Sequence, residues 1–563
     1  MKQLIECVPN FSEGRNMDVI NQITAEIEKI NGVKLVDVDP GAATNRTVVT
    51  MVGTPDEVLE AAFQAVKKAQ ELIDMRGHSG AHPRFGATDV CPLVPVANIT
   101  MEETVVFAHK LAKRIGEELE IPIYCYENAA KTEVRRNLAN CRAGEYEAVS
   151  ERIITEQWQP DYGPSEFTEK VAKSGVTAVS ARNFLVAINY NLNTTSTRRA
   201  NAVAFDVRER GRTKRDGDGI TGKIVKDENG KPVMIPGSLK HTKAIGWFIE
   251  EFGIAQISMN MTNIEETPIH KAFDEVSARA QDRGMRVTGS ELVGVVPLKA
   301  MLDAGRHYLK LQNRSTGISD KEIIKIAIKS LGLDELYSFE PEKKIVEYIL
   351  DADKPKQLID MNLTAFVHET ASESPAPGGG SISAYMGSMG AALGTMVANL
   401  SAHKRGWDHR CEEFSDIAEK GKFYHNSLLK MVDEDTNAFN KIMDAFGLPK
   451  KTDDDKAART QAIQDATKYA TEVPLKVMQL CFESMEVSKS MAETGNPNSV
   501  TDAGVGALAA MAGVRGAHLN VRINAKDLKD RVVADALLTE AKNIENSAAL
   551  LEKEILAVVE VKL

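Results

Sequence analysis

Two stretches of the 563-residue chain carry side chains whose types and spacing suit chemistry. In GHSGAHPRFGATDVCPLVP, residues 77–95, His78 and His82 stand four apart among glycines and a proline, ahead of an apolar run that reads as a strand. Two imidazoles at this spacing chelate a metal when they share a helix face, but Gly77, Gly80 and Pro83 oppose a helix, and no third ligand accompanies them. Two further readings stand beside that one. The histidines tie down a loop through hydrogen bonds, or one of them moves protons, since imidazole titrates near neutral pH. His82 is the better-aimed ring because Pro83 restricts its backbone. Asp39 at a strand end and Asn10 in VPNFSEG are its candidate partners.

The second stretch is SLLKMVDEDTNAFNKIM, residues 427–443. Leu428, Val432, Phe439 and Ile442 mark an apolar helical stripe, and Asp435 falls on it, whereas Asp433 shares a line with Leu429, Thr436 and Asn440. A carboxylate on a core-facing line is either paired structurally or kept protonated for acid–base work, and spacing alone leaves both open. Upstream, PAPGGGS opens a segment in which Gly387, Ala391, Gly394 and Ala398 recur at three and four. Its free N–H groups suit a carboxylate or a polar ring edge, while its small residues equally suit close helix packing. The stretch GNPNSVTDAGVGALAAMAGVRGAHLNVRIN has the same double meaning, with Asp502 near a helix start.

These groups need a scaffold. VKLVDVD and RTVVTMVG read as strands separated by PGAATN. TPDEVLEAAFQAVKKAQELID reads as a helix with Thr54 as N-cap, Pro55 first and Glu57 closing a capping box. Its buried face comprises Val58, Leu59, Ala62, Phe63, Val66, Ala69 and Ile73, and Thr100 caps the next helix, ahead of IPIYCY. A second α/β unit begins near Gly175 with TAVSARNFLVAINYNL as a strand, and GSELVGVVPL echoes GATDVCPLVP. GKIVKDENGKPVMIPGS, between them, reads as an exposed hairpin around Asn229-Gly230. Beyond residue 360 strand signals fade and helical periodicity takes over, which indicates a separate all-helical domain.

Length implies two or three domains. A net charge of -11 opposes generic nucleic-acid binding. The six cysteines show no CxxC or zinc spacing, and MKQLIECVPNFSEG lacks a secretory core, so a cytoplasmic protein with reduced thiols is expected. Residues 374–402 carry no charge but are rich in Gly, Ala and Ser, which favours a packed internal helix over a membrane span.

ECVPNFSEGRN, DVDPGAATNRTVVTMVG, RGHSGAHPRFGATDVCPLVP and GSELVGVVPLKAMLDAG, in this order, resemble glutamate formimidoyltransferase. SESPAPGGGSISA, the DED-containing helix and GNPNSVTDAGVGA resemble formimidoyltetrahydrofolate cyclodeaminase. Together they resemble the bifunctional formimidoyltransferase-cyclodeaminase family over nearly the whole chain. That resemblance implies an α+β architecture: two α/β-type subdomains with mixed sheets (1–178 and 179–343), a linker (344–356) and an all-α domain (357–563). It implies transfer of a formimino group from N-formimino-L-glutamate to tetrahydrofolate, then cyclisation to 5,10-methenyltetrahydrofolate with loss of ammonia.

The family's catalytic histidine matches His82, and its catalytic aspartate matches Asp435. Asp39 is carried as a third catalytic residue and Asn10 as a substrate-binding one. Folate is expected along Gly163, Pro164, Ser165, Glu166, Phe167, Thr168, Glu169, Lys170, Val171 and Ala172, with Lys170, Lys173, Arg198 or Arg199 guiding its glutamate tail. The resemblance implies a polyglutamylated folate co-substrate, no metal, no membrane and assembly into homo-oligomers. A methenyltetrahydrofolate cyclohydrolase in the helical half, or a folate-binding protein without catalysis, are the alternative readings.

Overall fold

Alternating apolar residues in the first third of the chain build one seven-stranded sheet. The computed structural model describes residues 3–42, 45–80, 83–217, 222–352 and 356–563. Strands β1 (Leu4–Cys7) and β2 (Asn10–Phe11) lie in one lane between β4 (Arg46–Gly53) and β5 (Thr88–Ala97); β3 (Val33–Gly41) borders β4. On the other side of β5, β6 (Ile123–Glu127) and β7 (Thr177–Ala181) run parallel, so this sheet is mixed. Helices Met17–Glu28, Pro55–Leu72 and Met101–Glu118 bury their apolar faces on the sheet, and all seven residues expected of the second helix are buried. Thr100 makes the full capping box with Glu103. Thr54 occupies the N-cap position but makes no cap bond, and its buried hydroxyl finds no partner. Pro55, at the first helical position, has no N–H of its own to satisfy.

TAVSARNFLVAINYNL forms two strands in two sheets rather than one. β7 completes the first sheet, whereas β8 (Val186–Leu192) sits inside a second sheet. After the small strands β9 (Arg212–Thr213), β10 (Arg215–Asp216), β11 (Lys223–Ile224) and β12 (Met234–Ile235) come β13 (Thr242–Ile249), β14 (Ile254–Met261) and β15 (Val287–Val293). The second sheet has the order β13-β14-β8-β15 and is antiparallel throughout. The Asn229-Gly230 turn exists, with Asp227 Oδ1 accepting from the Asn229 and Lys231 amides at 2.9 and 2.8 Å. Its flanking strands, however, bond mainly to neighbours: β11 to β10 and β12 to β9.

The chain divides into two compact units, residues 1–304 with 331–354, and residues 305–330 with 355–563. Helices Gly379–Ala402, Cys411–Gly447, Asp453–Thr494, Val500–Ala525 and Arg531–Lys562 make up most of the second unit. Residues 305–330 join it. Ser315 Oγ donates to Asn399 Oδ1 at 2.6 Å, and Lys422 pairs with Asp320 at 2.6 Å. The uncharged segment folds as the Gly379–Ala402 helix, buried among its neighbours by glycine-scale contacts. A Cβ on Gly387 would lie 2.2 Å from Cys481 Sγ, and one on Gly390 2.6 Å from Gly506 O. Among the described residues no helix is long and apolar enough to cross a membrane.

Candidate active sites

His82 lies outside the described residues, but both sides of its loop are anchored. His78 Nδ1 accepts from Arg84 Nε at 3.4 Å, which leaves Nε2 to donate to Asn45 O at 2.9 Å. Asn45, at φ 50°, returns a bond from Nδ2 to Ser79 O at 3.0 Å and accepts from Gly14 N at 3.1 Å. Arg84 itself is clamped by Glu145 and Glu147 at 3.0 and 2.7 Å. His78 is thus a loop-tying histidine. Past the loop, Gly86 passes so close to Val176 that a Cβ would meet its carbonyl at 2.0 Å.

Behind the loop sits a charged centre that spacing does not disclose. Asp89 is fully buried; its Oδ1 accepts from Phe85 N at 3.1 Å, and its Oδ2 pairs with Arg142 at 2.7 Å and with Arg46. Two guanidiniums share one carboxylate, so the centre keeps a positive surplus, and Arg142 Nε is buried without a partner. Asn10 belongs to this centre: its Oδ1 accepts from Arg46 Nε at 2.9 Å, and its Nδ2 donates to Val8 O at 2.8 Å. Asp39 lies exposed on β3 opposite Val48. It pushes up the pKa of neighbouring Asp37, which burial raises in the first place. Glu6, in the middle of the same sheet, is held at about 7 by burial, with Arg182 opposing.

The 163–172 segment runs next to the turn that opens the histidine loop. Gly163 takes φ 82° where the chain crosses Gly116 and Ile121. Pro164 is half-buried; Ser165, Glu166 and Phe167 are exposed; Thr168 caps the Glu169–Ser174 helix by accepting from Val171 N at 3.3 Å. Glu169 pairs with Arg76 of that turn, Lys170 pairs with Glu120 at 2.7 Å, and Val171 and Ala172 are buried. Lys173 donates to Glu71 O at 2.8 Å.

In the helical unit Asp435 meets the glycine loop. Its Oδ2 accepts from Ser381 N at 2.9 Å and lies 3.1 Å from Ser381 Oγ, at the first turn of the Gly379–Ala402 helix. Burial raises its pKa, and the two Ser381 hydrogen bonds oppose that shift. Gly380 is required here, since a Cβ would lie 2.0 Å from Asp435 Oδ1. A cavity of 160 Å³ opens beside the carboxylate, lined also by Thr436, Phe439, Ala470, Asn520 and Asn524. Phe439 is 41% exposed, because the apolar stripe leaves the core after Val432 and becomes cavity wall. Asp433 is the less solvent-exposed of the two aspartates and accepts from Leu358 N at 2.7 Å.

Asn520 and Asn524 were not singled out by sequence reasoning. Their spacing of four on the Val500–Ala525 helix was the available signal. Asp502 lies on the same helix but about 27 Å away along its axis at 1.5 Å per residue. Among the described residues no group of three His, Cys, Asp or Glu side chains is placed to hold a metal ion.

Family profiles match three consecutive stretches: the N-terminal subdomain of the formiminotransferase domain over residues 4–182, the formiminotransferase domain over 187–351, and formiminotransferase-cyclodeaminase over 362–543. The formimidoyltransferase-cyclodeaminase of Gallus gallus is 42% identical over 98% of this chain and 99% of its own. That of Rattus norvegicus is 40% identical over 96% and 97%. A methenyltetrahydrofolate cyclohydrolase of Methylorubrum extorquens is 41% identical over 36% of this chain and 96% of its own. With near-complete coverage at this identity, the chain belongs to the formimidoyltransferase-cyclodeaminase family.

Proposed function

We propose that the protein transfers the formimino group of N-formimino-L-glutamate to tetrahydrofolate and then closes the product to 5,10-methenyltetrahydrofolate, releasing ammonia. The observation that carries this reading is identity over almost the whole length to bifunctional relatives, with family profiles for both halves matched in one chain. It makes the protein a transferase and lyase of histidine degradation and one-carbon metabolism.

In the first step N5 of tetrahydrofolate attacks the formimino carbon and the bond to the glutamate nitrogen breaks. His82 takes the N5 proton and returns it to the leaving nitrogen, with Asp39 as its partner. The positive surplus around Asp89 supports recruitment of the dicarboxylate beside Asn10. Folate lies along Gly163 to Ala172, next to the histidine loop. In the second step N10 attacks the same carbon, the ring closes, and Asp435 protonates the departing nitrogen. The raised pKa of that carboxyl, its contact with Ser381 and the adjoining cavity support this assignment.

The wider reading divides the transferase between 178 and 179 and ends it at 343, with a linker at 344–356, and the gap between the first two matched stretches supports the first of these boundaries. Its co-substrate is polyglutamylated folate, and no metal takes part. Six buried, unbridged thiols fit a reducing, cytoplasmic setting. Exposed Leu508, Leu519 and Ile523 on the Val500–Ala525 helix support assembly into a homo-oligomer.

Likeness of the helical part to a cyclohydrolase calls for an assay that separates the two chemistries. Purified protein is mixed with tetrahydrofolate and formiminoglutamate, and methenyltetrahydrofolate absorbance and ammonia are followed together for the wild type, His82→Ala and Asp435→Ala. Asp435→Ala should consume formiminoglutamate without releasing ammonia, and His82→Ala should fail at the start. A wild type that yields neither product would make it a binding protein. Methenyl hydrolysis without ammonia release would make the helical half a cyclohydrolase.

A further inference from the structure

The exposed arm of β9 to β12, which the proposed reactions do not use, walls a second cavity. Between residues 198 and 215 the chain places seven basic side chains against two acidic ones, within a protein of net charge -11. The Thr197–Val207 helix presents Arg198, Ala202 and Phe205 along one face at spacings of four and three, and Arg208 follows at its end. The arm supplies Arg212 from β9 and Arg215 from β10. These side chains enclose a cavity of 420 Å³.

Four guanidiniums face this space, and their own bonds leave donors over. Arg208 lies 3.9 Å above the Phe205 ring and donates from Nε to Gly211 O at 3.0 Å and from one terminal nitrogen to Ala244 O at 3.4 Å. Arg215 donates to Gly222 O at 2.8 Å. Arg212 bonds Ala202 O and pairs with Asp206, yet its Nε is buried with no partner. Asp206 is also claimed by Arg283, so this carboxylate is shared. Burial lowers the pKa of both Arg208 and Arg212; Arg210 lowers the first further, while for Arg212 the Asp206 carboxylate opposes the shift and Arg283 adds to it. Like charges gathered around a half-enclosed, partly apolar space are stabilised by a bound counter-anion, and the guanidinium fork suits carboxylate and phosphate oxygens alike.

We propose that the cavity between the Thr197–Val207 helix and the β9–β10 strands is a binding site for a small, multiply charged oxyanion. The arm exists to complete it, by carrying Arg212 and Arg215 to the helix. Its lining shares no residue with the charged centre at Asp89 or with the cavity beside Asp435, and the proposal does not depend on the proposed chemistry.

Titration calorimetry of the full-length protein at low ionic strength tests this with two probes, pyrophosphate and citrate. Saturable binding of one probe per chain is expected, weakened by about tenfold or more in the double variant Arg198→Gln/Arg215→Gln. Arg198 is exposed and Arg215 half-buried, and an unchanged melting temperature shows that the variant folds. Lys226→Gln/Lys231→Gln, at the arm tip outside the cavity, should bind as the wild type does. Preference for pyrophosphate assigns a phosphate ligand, and preference for citrate a polycarboxylate. Absence of saturable binding by either probe, binding that survives in the arginine variant, or equal weakening in the lysine variant overturns the proposal.

Discussion

Asp435 Oδ2 lies 2.9 Å from the amide nitrogen of Ser381, so a carboxylate from the middle of one helix caps the start of another. Burial favours the neutral acid, while the amide and the helix N-terminus favour the anion. The first effect is the larger. Protonated Asp435 therefore persists above the usual carboxylate range and is lost as pH rises through its raised pKa. Ammonia release should fall along that limb, and Asp435→Asn should remove the limb together with about 10²–10⁴-fold of the rate. A stopped-flow pH series on preformed 5-formimino-tetrahydrofolate reads both.

Gly380→Ala should damage the same step without touching the acid. Its methyl group would demand space 2.0 Å from Asp435 Oδ1. Ammonia release should drop at least about tenfold as the carboxylate is displaced, because a misplacement of about 1 Å costs up to about a hundredfold. Formiminoglutamate consumption should remain at the wild-type rate. Equal loss of both steps would show a folding defect instead, visible as a lowered melting temperature.

Asp89→Asn should destabilise the first unit by about 3–5 kcal/mol, because Arg46 and Arg142 lose the anion they share. Denaturant titration should show the loss as a lower midpoint with an unchanged slope. A shift below about 1 kcal/mol would show that solvent already screens the two guanidiniums.

Glu6 supplies a pH signature of stability. Its carboxyl is held at about 7 in the folded chain against 4.5 ordinarily, so between those values the unfolded chain loses its proton first. The stabilising effect of the protonated form is complete below 4.5 and is lost as pH rises towards 7. Glu6→Gln should remove up to about 3 kcal/mol of this slope and leave the variant more stable than the wild type at pH 8. Melting curves across that range decide the matter.

Periodicity made much of the scaffold legible. β4 spans the residues expected of RTVVTMVG, and the buried face of the Pro55–Leu72 helix follows the three–four repeat. Asp435 was conspicuous as a charged residue on an apolar line, although spacing left its role open. Asp89 was hidden, since its partners stand 43 and 53 residues away in the chain and only folding brings them together. TAVSARNFLVAINYNL hid its break because Arg182 and Asn183 interrupt an apolar run that local pattern joins. Asp502 was singled out near the start of its helix whereas the cavity meets Asn520 and Asn524 near the other end, because composition does not tell which end of a long helix faces a site.

Residues 305–330 belong with helices that follow them by a hundred positions, as the Ser315–Asn399 and Lys422–Asp320 bonds show. Severing the chain anywhere between 331 and 354 therefore yields no complete helical fragment. The downstream piece loses the backbone that lies against Ala418, where Gly317 fits only because it lacks a side chain. Gene fission there would strand residues 305–330 on the wrong product, so a freestanding descendant of the helical unit must re-cover Ala418 and Ser415 with new residues before it can fold as well as its parent.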